Sequence, residues 1–209
     1  GKKLPKKGRG AGGKKLDPRN LPGELLTALE ALYGHYQKTF DLWSQEEIGI
    51  PPVFIVVCNN TSTSELIYKY ISGFHRENDD GSTTLENGRL ALFRNYDDYG
   101  NRLAKPNTIL IDSAKLEAGE ALDKNFHEMA ADEIDRFRRE LVERTGDIRA
   151  ADNITDQDLL REVMNTVGKK GKLGEQIRCV VSVSMLTEGW DANTVTHILG
   201  VRAVGTQIL

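Results

Sequence analysis

The unbroken apolar run Val53-Phe54-Ile55-Val56-Val57-Cys58 stands between Pro52 and Asn59. A run of this length, dominated by β-branched residues and lacking apolar–polar alternation, fits a strand covered on both faces, as in a parallel sheet with helices on either side. Ile177 to Met185 reads as a second β-branched strand, and Val195 to Val201 follows as another strand. Parallel neighbours cannot be joined by a tight turn, so helical crossovers must lie between them.

The intervening sequence supplies helix patterns. Leu25, Leu29, Leu32, Tyr36 and Phe40 recur at three- and four-residue spacing behind Pro22, which predicts an amphipathic helix ending before Pro51. Ser62 and Glu65 have capping-box spacing, and Leu66, Ile67, Tyr70, Ile71 and Phe74 carry a second helix into the polar run 75–84. Leu90 to Tyr96 and Thr108 to Ile111 read as two further strands, forming a hairpin or joining the sheet. Phe126, Ala130, Ile134, Phe137 and Leu141 mark a long helix. Its outer face offers Asp132 with Arg136, Asp135 with Arg139, and Glu140 with Arg144. Thr155 caps another helix through Leu159, Leu160, Val163 and Met164. The expected architecture is a doubly wound α/β sheet, with a helical insertion at about 115–175. Ligands gather at the carboxyl ends of the strands in such sheets.

Charge is unevenly distributed. Residues 1–15 carry seven Lys or Arg and no acid, and the remaining 21 bases face all 31 acids. With its glycines, the stretch 1–20 reads as a basic linker, and a nucleic-acid backbone could attract its cations. Two cysteines and the lack of any long apolar run argue against a disulfide framework and a membrane span, and point to a cytoplasmic protein.

Several chemical patterns fail on inspection. Gly8 to Lys15 approximates a P-loop but has Lys15 where a magnesium-binding hydroxyl is required, and no strand precedes it. Asp98, Asp112 and Lys115 have the residue types of a metal-dependent nuclease without its spacing. His35, His75, His127 and His197 are scattered, and Ser182 and Ser184 lie in an apolar strand rather than in a nucleophile elbow. Two loops remain. Asn59-Asn60-Thr61 joins a buried strand to a helix start, where it could bind a phosphate or simply cap the helix. Thr187 to Asn193 follows the second buried strand. There Gly189 would permit close backbone approach and Asp191 could accept from ribose hydroxyls, although a plain polar turn fits the pattern too.

Val181 to Val195, read through Leu186-Thr187-Glu188-Gly189-Trp190-Asp191-Ala192-Asn193, resembles motif V of the superfamily-2 motor subunit of type III restriction enzymes, where E-G-W-D-x-N-x-V is distinctive. Val53 to Thr61 resembles motif IV of the same group, so the resemblance spans roughly residues 20–209. It implies the second RecA-like domain of a DNA helicase or translocase, at 21–209. In that scheme Asn59, Asn60, Thr61, Ser184, Met185 and Leu186 touch the DNA backbone, and Glu188, Gly189 and Asp191 face the nucleotide. The partners implied are double-stranded DNA, a first RecA-like domain with a true P-loop, and a DNA methyltransferase subunit. ATP and Mg2+ would be bound by the complete motor. The arginine-bearing motif Q-x-x-G-R-x-x-R is expected beyond Leu209, so no ATPase activity is expected of this stretch alone. A second reading is a non-catalytic RecA-like module whose 120–175 helices dock a partner subunit. A self-contained small-molecule enzyme lacks a complete phosphate loop and an acid–base pair.

Overall fold

The computed structural model describes residues 17–112, 127–128, 130–183 and 194–202. Four parallel strands form the central sheet: β1 (Val53–Cys58), β4 (Thr108–Ile111), β5 (Cys179–Val183) and β6 (Val195–Val201), in the spatial order β4-β5-β1-β6. Helices α1 (Gly23–Gln45) and α2 (Thr61–Ser72) pack on one face. On the other lie α3 (Ala131–Thr145), α4 (Ile148–Asp152) and α5 (Asp156–Asn165).

Side-chain alternation along β1 explains why its sequence is apolar throughout. Phe54, Val56 and Cys58 enter the α1/α2 core with Leu29, Tyr36, Ile67 and Phe93, while Val53 and Ile55 enter a second core with Ile109, Ile111, Ile134, Leu159 and Val163. Every β1 residue therefore faces a hydrophobic layer, and polar alternation would leave unpaired groups in one of them. The chain passes from β1 to β4 with α2 on one face, then returns from β4 to β5 with α3 to α5 on the other. Reversing both direction and face gives the two crossovers the same hand, as a twisted parallel sheet requires.

Three local expectations are corrected. Asn60, not Ser62, caps α2: its Oδ1 accepts from the Thr63 N–H at 2.8 Å. The polar run after α2 is an antiparallel hairpin, β2 (Gly73–Glu77) with β3 (Thr83–Asn87). Leu90 to Tyr96 is not a strand but contains a 3₁₀ turn, Ala91–Phe93. Asn95, 2% exposed, ties this segment down. Its Oδ1 accepts from the N–H groups of Asn107 and Thr108, its Nδ2 donates to the Thr108 carbonyl, and its own N–H donates to the Ser72 carbonyl. A buried carboxamide thus satisfies backbone groups that a ladder would otherwise satisfy.

The expected strands β1, β4, β5 and β6 form, and so does the Thr155 cap, as a full capping box with Asp158. The surface pairing on α3 differs from the spacing rule: Asp135 pairs with Arg138 at 3.2 Å, and Glu140 with Lys172. Among the described residues no helix is long and apolar enough to cross a membrane. Cys58 and Cys179 are free and buried, and burial pushes the Cys58 thiol up to about 11.

Candidate functional site

Parallel strands direct all their carboxyl ends to one edge, where strand-to-helix loops expose backbone donors. β1 and β5 are adjacent in register, with Cys58 opposite Val183, so the two strands end at the same level and Asn59 leaves β1 beside the end of β5. β4 ends one strand away, with Ile111 opposite Ser182 and Asp112 next in the chain.

The Asn59–Thr61 loop is built from short polar side chains bonded to one another and to the helix. Asn60 Nδ2 donates to Asn59 Oδ1 at 3.1 Å, and the Asn60 carbonyl accepts the Ser64 N–H at 3.2 Å. Ser64 Oγ donates back to the Thr61 carbonyl at 2.8 Å. Thr61 Oγ1 donates to Asp112 Oδ2 at 3.0 Å, joining the ends of β1 and β4. Asp112 is 3% exposed, and a carboxylate beside a helix N-terminus is favoured by the helix dipole.

These bonds define what the loop can offer an anion. Asn60 is committed to capping, and the single Thr61 hydroxyl proton is committed to Asp112. The backbone N–H groups of Thr61 and Ser62, in the first turn of α2, have no partner among the described residues. They and the Asn59 carboxamide are the donors a backbone phosphate would meet, with the Asp112 carboxylate close behind. Helix capping and oxyanion contact therefore use different atoms of the same loop and are compatible.

The other expected site residues, Ser184, Met185, Leu186, Glu188, Gly189 and Asp191, lie outside the described residues, as do Lys115 and the linker to residue 16. Of the scattered histidines, His127 contacts Asp156 at 2.8 Å, and His197 stacks on Phe54 with ring centroids 6.0 Å apart. Among the described residues no three His, Cys, Asp or Glu side chains cluster so as to hold a metal ion.

Sequence reasoning missed Asp112 as the partner of Thr61. Its only signal was position, the first polar residue after a short apolar strand. Comparison with family models, curated proteins and solved structures gives no match. The chemistry of this edge therefore stands on the residues themselves.

Proposed function

We propose that the chain is the second RecA-like half of an ATP-dependent DNA translocase of the type III restriction enzyme kind, contributing half of a DNA track and half of an interdomain ATP site. The observation that carries this reading is the adjacency of β1 and β5. It sets the Asn59–Thr61 loop beside Val183, the carboxyl-terminal residue of β5, at one sheet edge. A motor needs that arrangement, because DNA contacts and nucleotide contacts must ride on one rigid sheet for cleft closure to move the track.

In this scheme the Asn59 carboxamide, the backbone of the Asn60–Thr61 turn, and Ser184, Met185 and Leu186 hold the DNA backbone, which positions a strand without reading its sequence. Glu188, Gly189 and Asp191 face ATP and Mg2+ bound mainly by a P-loop domain of the same motor. A methyltransferase subunit is the further partner this reading implies, and the cytoplasm is its setting.

The test is an intact motor containing the P-loop domain, this domain and the arginine-bearing motif. Asp191→Ala should depress ATP-dependent translocation at least tenfold while the circular-dichroism spectrum and melting curve stay unchanged. Unimpaired translocation by that variant, or a parent protein with no P-loop domain, overturns the reading. The isolated chain should bind duplex DNA weakly and salt-sensitively, and lose that binding when residues 1–15 are removed.

A further inference from the structure

At the amino edge of the sheet, opposite the loops just described, lies a cleft of about 330 Å³ between the end of α1 and the approach to β5, lined by Phe40, Trp43, Glu47, Pro51, Gln176 and Arg178 among others. Arg178 is the unusual member. Its guanidinium lies over the Phe40 ring at 4.8 Å, its Nη1 donates to the Leu92 carbonyl at 3.0 Å, and it has no carboxylate partner among the described residues. A second cation is close by: a methyl group placed on Gly49, which also lines the cleft, would sit 3.3 Å from Lys170 Nζ. Glu47 lines the cleft too but forms no ion pair with either cation, and the neighbouring apolar side chains Leu42 and Ile48 are 54% and 41% exposed.

We infer that this cleft is a docking site for a peptide segment of a partner protein, one that presents a carboxylate to Arg178 beside an aromatic or aliphatic side chain seated against Trp43. Charge complementarity selects the occupant. A half-buried guanidinium without a counter-ion has lost part of its hydration, and burial holds its pKa below the usual arginine value. An incoming carboxylate restores the balance through its fork of donors, and the apolar neighbour covers Trp43 and the prolines. The cleft is at the opposite edge from the β1 and β5 loops, so its occupation does not compete with DNA or nucleotide there.

The test titrates the 209-residue chain with the blocked dipeptides acetyl-Glu-Phe-amide and acetyl-Gln-Phe-amide, and with inorganic phosphate, by calorimetry. The Trp43 indole N–H resonance, assigned through Trp43→Phe, gives a second readout. The Glu peptide should saturate, shift that resonance and bind at least tenfold more tightly than the Gln peptide. Arg178→Lys should weaken it about tenfold and Lys170→Ser severalfold, whereas Glu47→Gln should tighten it. Should Arg178→Lys fail to fold, the exposed Lys170→Ser and the two peptides still decide. Equal binding of the two peptides, phosphate binding as tight as the Glu peptide, displacement of the peptide by a duplex oligonucleotide, or no saturation overturns the inference.

Discussion

The two faces of the sheet are both hydrophobic and yet built differently. The α1/α2 face is aromatic: Tyr33, Tyr36, Phe54 and Phe93 meet ring to ring, Tyr36 and Phe93 at 4.7 Å and Phe54 and Phe93 at 5.3 Å. Its polar tips are also tied, since Tyr36 Oη donates to the Pro52 carbonyl at 2.8 Å and Tyr33 Oη accepts the Leu92 N–H at 3.0 Å. The α3–α5 face is aliphatic, made of Val53, Ile55, Ile109, Ile134, Leu159 and Val163. Rings with oriented edges and hydrogen-bonded tips fix the position of the segments they touch, whereas branched aliphatic chains fill volume and can repack. The face that must hold an irregular segment, Leu90 to Asn107, is the aromatic one.

Phe93→Ala should test that contrast most severely. Phe93 is fully buried at the centre of the ring cluster, so its truncation should cost about 3–5 kcal/mol in urea unfolding. Ile134→Val, on the aliphatic face, should cost only about 0.5–1.5 kcal/mol. Tyr36→Phe keeps the ring but strands the Pro52 carbonyl, at a cost of about 1–3 kcal/mol. Thr155→Ala removes the capping box that starts α5 over the aliphatic face, for about 1 kcal/mol by thermal melting.

The smallest effect is a pH dependence confined to the aromatic face. His197 stacks on Phe54 and meets Tyr36 edge to face, and burial, followed by the charge of His35, holds its pKa below the ordinary 6.5. The unfolded chain therefore takes up this proton first. His197 contributes fully above pH 6.5, and that contribution is lost as pH falls from there through the folded value. Unfolding midpoints measured from pH 7.5 to 5 should show a decline that His197→Phe abolishes, and an unchanged decline in that variant would assign it to other groups.

How much of this was legible depended on whether local sequence or distant partners decided the outcome. The run 53–58 and the β-branched stretch within 177–185 announced the central strands, because β1 and Cys179–Val183 are buried on both faces and admit almost no exposed polar side chain. Thr83 to Asn87 could not announce β3 in the same way: its burial is partial at best, so pairing with β2 rather than a hydrophobic face defines it. Leu90 to Tyr96 looked like a strand because Leu90 and Phe93 are core residues, and nothing nearby revealed that Asn95 would supply the hydrogen bonds of a missing neighbour. At the candidate site, Asn59–Thr61 was readable as a strand-to-helix loop. The Thr61–Asp112 bond was not, since it joins residues brought together only by strand order.

That strand order also sets a timetable. β1 lies between β5 and β6, both of which come from the far end of the sequence. During synthesis this wholly apolar strand must wait, with both hydrogen-bonding edges unmet, until residues 179–201 have been made. Contacts of such long sequence separation close slowly, and an unpaired apolar strand is prone to pair with another chain in the meantime. Yield in the cell should accordingly follow chaperone supply and synthesis temperature more closely than the equilibrium stability of the finished sheet.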